Sequence, residues 1–251
     1  MTPSCEFTQR HYRQILEQAR SGSFELFPLR ETHRLVPGKK QIVLRHYIDF
    51  SVEDARRMAT VEKEMGVTST YCVLLHAPTY HVGDRGPYRD LCDILNMGHE
   101  LALHYDINFF EESKIPPVEG IEREAAFLGG LFGTPIVSLS QHKPGTDGFF
   151  TGVGSRFIDA YSPRLMKEIR YISDSKRAWR AGCVHEHLET TPTMQLLVHP
   201  EWWEEGEEQN RRKTIARVVR QCQDNITRLM EEYAVSMEGG PAAGGQTGPL
   251  G

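Results

Sequence analysis

Short apolar runs alternate along this chain with longer stretches in which apolar positions recur every three or four residues. The first run, QIVLRH from Gln41 to His46, reads as a buried strand, and Ser51 with Asp54 three positions on forms a capping box that opens a helix ending at Gly66. The same unit repeats: a strand over Ser69 to Leu75 with a helix from about Pro87 to Met97 stopped by Gly98, then a strand over Glu100 to His104 with a helix from about Val118 to Phe132 stopped by Gly133. Further strands are expected at Pro135 to His142, Ile169 to Ser173 and Met194 to His199. Strands in alternation with helices predict an α/β fold, a mostly parallel sheet with helices outside it.

Two helices frame these units. Thr8 to Arg20 carries Tyr12, Ile15 and Leu16 on one face, and Gln209 to Met237 repeats Ile215, Val218, Val219, Cys222, Ile226, Leu229, Met230 and Tyr233 at helical spacing, which predicts an outer or terminal helix. From Glu238 the sequence turns to Gly and Pro with too little apolar content to order itself, so residues 1–237 are read as one domain and 238–251 as a disordered tail.

The formal net charge of −5 and the lack of a basic run exclude a nucleic-acid footprint, and no apolar run approaches the ~20 residues of a membrane span. The first residues hold no apolar leader, so the expected compartment is the cytoplasm. The five cysteines are odd in number and never paired as CxxC, which argues against a disulfide framework or a cysteine zinc knuckle.

In parallel α/β folds ligands collect at the carboxyl ends of the strands. Here those ends hold His46-Tyr47-Ile48-Asp49, His104-Tyr105-Asp106, His142-Lys143, Asp174 and His199. Imidazole and carboxylate converging from separate strands suit a divalent metal of the zinc or iron type with one position open to water, and so a metal hydrolase. His99 precedes its strand and falls at the other end.

The ordered set IVLRHYIDFSVEDA, GHELALHYD, SQHKPG, YISDS with Trp179, and LLVHPEWW resembles the polysaccharide deacetylases, the NodB-like carbohydrate esterases, and most of all their divergent branch in O-antigen and capsule gene clusters. The resemblance runs from about Gln41 to Trp203. It implies a distorted (β/α) barrel, a divalent metal, zinc by preference, and hydrolysis of the N-acetyl group of an amino sugar. Asp49 takes the place of a metal-binding aspartate and His104 that of a metal-binding histidine. Asp174 takes the place of the carboxylate that orients a catalytic acid, and His199 that of the acid.

Three positions depart from the family pattern. Tyr47 stands where a general base is usual, and a phenol with a pKa of about 10 is protonated near neutrality. Asn108 stands where a second histidine ligand is usual. His142 replaces an arginine. The third ligand is then His142 or Asp106; strand-end placement and the resemblance together predict that Asp49, His104 and His142 converge, and Asp106, His142 and His46 are the alternatives for receiving a proton from water. Trp202 and Trp203 are candidates for stacking on a sugar or for the core. The expected function is a metal-dependent hydrolase of a small acylated amino sugar or related amide. The alternative is a degenerate relative that binds a carbohydrate or partner protein without hydrolysis, and a third reading gives Tyr47 itself a role in altered chemistry.

Overall fold

Successive side chains of a strand point to opposite faces of its sheet, and the strand β2 (Gln41–Ile48) shows what this does to the whole molecule. Every one of its residues is buried. Ile42, Leu44 and Ile48 pack outward among helices, whereas Val43 and Tyr47 pack inward with Phe27, Leu29, Cys72, Ala102 and Leu197. A strand covered on both faces belongs in the middle of a parallel sheet.

The computed structural model describes residues 6–144, 148–150, 152–180, 182–205 and 210–238. After α1 (Gln9–Ser21) and β1 (Glu25–Phe27) come β2, α2 (Val52–Glu64), β3 (Thr70–Val73), α3 (Arg85–Asn96), β4 (Glu100–Tyr105), α4 (Ile107–Glu112), α5 (Pro117–Phe132) and β5 (Ser138–Gln141). The chain continues through β6 (Ile158–Asp159), α6 (Pro163–Lys167), β7 (Arg170–Ser173), α7 (Val184–His187), β8 (Thr193–Val198) and α8 (Arg211–Glu238).

All strand pairs are parallel, and the sheet runs β6-β5-β4-β3-β2-β8-β7. It curls so that its two edges face each other: Tyr161, just after β6, meets Tyr171 of β7 ring to ring at 6.4 Å. The fold is a distorted (β/α) barrel, left open between β6 and β7. The short β1, β6, α4, α6 and α7 carry too few periodic positions to stand out in the sequence. β1 pairs with Gln41 to Val43 of β2, while β3 pairs with Arg45 to Ile48, so two strands share one edge of the central strand.

Helix boundaries follow local chemistry. The Thr8 hydroxyl accepts from the His11 N–H at the start of α1, and the Ser51 hydroxyl accepts from the Asp54 N–H at the start of α2. Gly133 ends α5 in the left-handed conformation, at φ 63°. The terminal helix departs from expectation. Thr214 and Val218 are buried against the body, but Ile226, Leu229, Met230 and Tyr233 are exposed, so its apolar stripe packs only at the start. The expected tail lies outside the described residues except for Glu238, where α8 ends. Among the described residues no helix is long and apolar enough to cross a membrane.

His46, one position from Tyr47, points outward, and there it meets Glu62 of α2. The fully buried Glu62 carboxylate accepts from Tyr12 Oη (2.5 Å), His46 Nε2 (2.7 Å), Ser69 Oγ (2.7 Å) and Tyr71 Oη (2.8 Å), with His99 Nδ1 3.5 Å away. Burial pushes its pKa up, but His46, His99 and the hydrogen bonds outweigh burial and bring it down to about 2. A carboxyl held below its unfolded value adds stability above pH ~4.5 and loses it as pH falls toward ~2. A shift of this size corresponds to about 3 kcal/mol. Urea unfolding of the wild type between pH 5 and 2 is therefore expected to show an acid loss of about that size that is missing from Glu62→Gln; equal slopes in the two proteins would remove the hub from the account.

Candidate active site

The inward column of β2 continues past the strand end, so Asp49 projects on the same side as Tyr47. His104 occupies the corresponding end of β4. His142 is the first residue beyond β5, held there by its N–H bond to the Tyr105 carbonyl at 2.7 Å. Their ligand atoms form a nearly equilateral triangle: Asp49 Oδ1 lies 3.4 Å from His104 Nε2 and 3.6 Å from His142 Nδ1, and the two nitrogens are 3.1 Å apart. Zinc bonds of about 2.0 to 2.1 Å at tetrahedral angles demand ligand atoms about 3.3 Å apart, so the three donors match one face of a zinc coordination tetrahedron.

Surrounding groups suit this use. His104 donates from Nδ1 to the Ser140 carbonyl at 2.9 Å, which turns the lone pair of Nε2 toward the triangle. Burial, with His104 alongside, lowers the His142 pKa to about 4, so this imidazole is neutral and able to ligate. Asp49 Oδ1 is buried and makes no hydrogen bond. Burial alone would raise the Asp49 pKa, but His104 beside it and the His199 side chain across the cavity hold it well below the usual carboxylate range. A buried anionic oxygen without a hydrogen bond, facing two nitrogens, is a place for a cation.

Across the cavity, Asp174 and His199 from the ends of β7 and β8 form a tight pair. Asp174 Oδ1 accepts from His199 Nδ1 at 2.6 Å, and both carboxylate oxygens accept from the His199 backbone N–H at 3.1 Å. Burial lowers the His199 pKa, yet the fully buried Asp174 carboxylate more than offsets it and raises the value to about 9. His199 is therefore an imidazolium at neutral pH. The indole of Trp203 donates to Asp174 Oδ2 at 2.7 Å. Of the two tryptophans weighed as a sugar platform, Trp203 is thus a buried strut, whereas Trp202 lines the cavity and packs on Phe50.

The Tyr47 ring lies between the two groups, stacked on His104 at 3.9 Å and edge-on to His199 at 5.3 Å. Its hydroxyl is committed below the site, bonded to Ser140 Oγ and donating to Tyr161 Oη at 2.7 Å. Burial raises the Tyr47 pKa well above that of free tyrosine. Beneath it the fully buried guanidinium of Arg45 sits 4.8 Å from the Tyr47 ring centre and 5.0 Å from that of Tyr161. Arg45 bonds Gln195 and Ser140, and its Nη2 has no hydrogen-bond partner. Arg45 went unnoticed in the sequence, although its place two residues before Tyr47 puts both on one strand face.

Asp106 is not part of the site. Its carboxylate accepts from the Asn108 N–H at 3.0 Å as the cap of α4, and neither residue lines the cavity. An Asp directly before a helix has its own N–H groups to satisfy. His46, turned into the Glu62 hub, is also removed from it. The cavity has a volume of about 750 Å³. Among the described residues that line it, Asp49 is the one carboxylate, and Lys143, Lys176, Arg180 and Arg211 supply positive charge.

No family model matches the sequence, and no curated protein matches it. Among solved structures the chain is similar to the deacetylase PplD of Streptococcus pyogenes, solved in complex with acetate, at 10% identity over 77% of this chain and 84% of that one, with a TM-score of 0.48. It is similar to IcaB from Ammonifex degensii at 17% identity over 58% and 69%, with a TM-score of 0.42. A third is BA3943 of Bacillus anthracis, described as a carbohydrate esterase family 4 pseudoenzyme, at 13% identity over 76% and 63%, with a TM-score of 0.47.

Proposed function

We propose that this chain is a metal-dependent amide hydrolase that removes an acyl group, N-acetyl by preference, from an amino sugar. The observation that carries the reading is the coincidence, in one cavity, of three donors spaced 3.1 to 3.6 Å apart and a carboxylate-held imidazolium. Asp49, His104 and His142 would hold the ion, with zinc favoured by the donor set. When bound there, such an ion polarises the acyl carbonyl and makes water more acidic.

The protein's own groups supply the rest. Asp174 fixes His199 through Nδ1, which leaves the Nε2 proton for the departing nitrogen. Water adds to the acyl carbon and gives up a proton to solvent; the C–N bond then breaks as the nitrogen takes the His199 proton, leaving a carboxylate and a free amine. The Tyr47 hydroxyl stays out of this transfer, since it is already bonded to Ser140 and Tyr161. The positive charges on the cavity wall favour amino sugars that also bear a negative group.

The scarcity of carboxylates in the cavity lining favours one other reading, a degenerate relative that binds the sugar without cleaving it. Protein purified without chelator is tested for bound metal and for amine release from neutral and acidic N-acetylated amino sugars. The hydrolase reading expects amine release, preference for the acidic sugars, and loss of both activity and one equivalent of metal in Asp49→Ala. Sugar binding with metal present and no amine released would establish the second reading; neither metal nor sugar binding would overturn both.

A further inference from the structure

A second cluster of side chains able to ligate a metal lies outside the barrel, where α1 meets α7. His11 comes from the first turn of α1; Cys183 caps α7, and His185 is the second residue of that helix. The ligand atoms of these three residues lie within 4.8 Å of one another, and all three residues are buried. We propose that His11, Cys183 and His185 form a second metal site that takes a thiolate-tolerant transition-metal ion of the zinc class and ties the N-terminal helix to the loop between β7 and β8.

Geometry and donor chemistry support this independently of the cavity. His11 Nε2 is 3.4 Å from Cys183 Sγ. Zinc with bonds of about 2.3 Å to sulfur and 2.0 to 2.1 Å to nitrogen places tetrahedral S and N ligands about 3.5 Å apart, which is the spacing found. The His11 and His185 rings stand at 87° with centroids 5.5 Å apart, so two imidazoles can approach one centre without stacking. His11 Nδ1 pairs with Gln14 Oε1 at 3.4 Å, one turn along α1, and this leaves Nε2 as the nitrogen facing the cluster. One thiolate and two imidazoles, with no carboxylate, select zinc, cobalt or copper over magnesium and calcium. On binding, Cys183 gives its thiol proton to solvent and becomes the anionic ligand. The fourth position is left to water.

The site adjoins the cavity through one side chain. The Trp203 ring is parallel to His11, at 12° with a centroid distance of 6.1 Å, and its indole N–H bonds Asp174. An ion here would therefore brace the residue that supports the imidazolium's carboxylate.

Cobalt(II) distinguishes this site from the first, because Asp49, His104 and His142 offer no sulfur. Titration of the reduced, metal-stripped full chain is expected to produce a thiolate-to-cobalt charge-transfer band in the near ultraviolet that saturates within two equivalents in the wild type, at one equivalent in Asp49→Ala, and disappears in Cys183→Ser. Alkylation of the wild type, read by mass spectrometry, should show Cys183 protected when cobalt or zinc is present, which tests the site even if a variant fails to fold. Absence of the band at saturating cobalt, its survival in Cys183→Ser, or equal alkylation of Cys183 with and without metal would overturn the proposal. Loss of the hydrolase reading would not touch it, since no step of this test measures activity.

Discussion

Replacement of His199 by alanine is expected to lower turnover by ~10² to 10⁴, the usual contribution of a positioned general acid. The loss should fall on kcat more than on folding. Asp174 keeps its bonds from the residue 199 backbone N–H and from the Trp203 indole, so the variant does not strand a buried carboxylate. The acid form of His199 disappears as pH rises through a pKa near 9, so the rate should fall along an alkaline limb. Asp174→Asn removes the group that raises this pKa, and the limb should move to lower pH. Steady-state kinetics on any cleaved acylated sugar, as a function of pH, reads both effects. Unchanged kinetics in His199→Ala would reduce His199 to a structural residue.

Tyr47→Asp is expected to act in the other direction, raising amide hydrolysis by ~10² to 10⁴ if the missing base is what limits the wild type. Residues 45, 47 and 49 share one face of β2, so a carboxylate at position 47 would stand between Asp49 and the Arg45 guanidinium. Arg45 has a hydrogen-bonding nitrogen, Nη2, with nothing to bond. It would supply the cation that holds the new carboxylate ionised. The exchange also removes the ring from His104 and the bonds to Ser140 and Tyr161, so some stability is lost and the assay is run below the variant's melting temperature. If activity on the true substrate is instead abolished while metal content stays intact, the phenol belongs to the chemistry. If Tyr47→Asp and Tyr47→Phe both leave activity and binding unchanged, Tyr47 only packs.

The residues that converge in the cavity were legible because a parallel fold sends every strand end to the same side, and Asp49, His104, His142, Asp174 and His199 all occupy such ends. What strand-end position alone does not reveal is direction. His46 and Asp106 are as close to strand ends as Asp49 is, yet β2 alternation turns His46 into the Glu62 hub and α4 claims the Asp106 carboxylate as a cap. The alternation was available in the sequence; the cap depended on a helix of six residues, too short for its periodicity to register. The Trp203–Asp174 bond and the His11 cluster were hidden for another reason. Their partners are distant in sequence, His11 and Cys183 being 172 residues apart, and no local pattern encodes such a pairing.

The placement of β8 beside β2 bears on how the chain reaches this structure. Gln195 of β8 bonds Arg45 of β2 across 150 residues, so the central strand lacks one neighbour until almost the whole domain exists. At synthesis rates of about 5 to 20 residues per second, that edge stays open for roughly 8 to 30 s. Pairings this remote form late, after the loop-closure entropy has been met, and the open apolar edge is a template for association with other chains in the meantime. Recovery of folded protein from denaturant should accordingly fall with protein concentration, even where the native state, once formed, is stable.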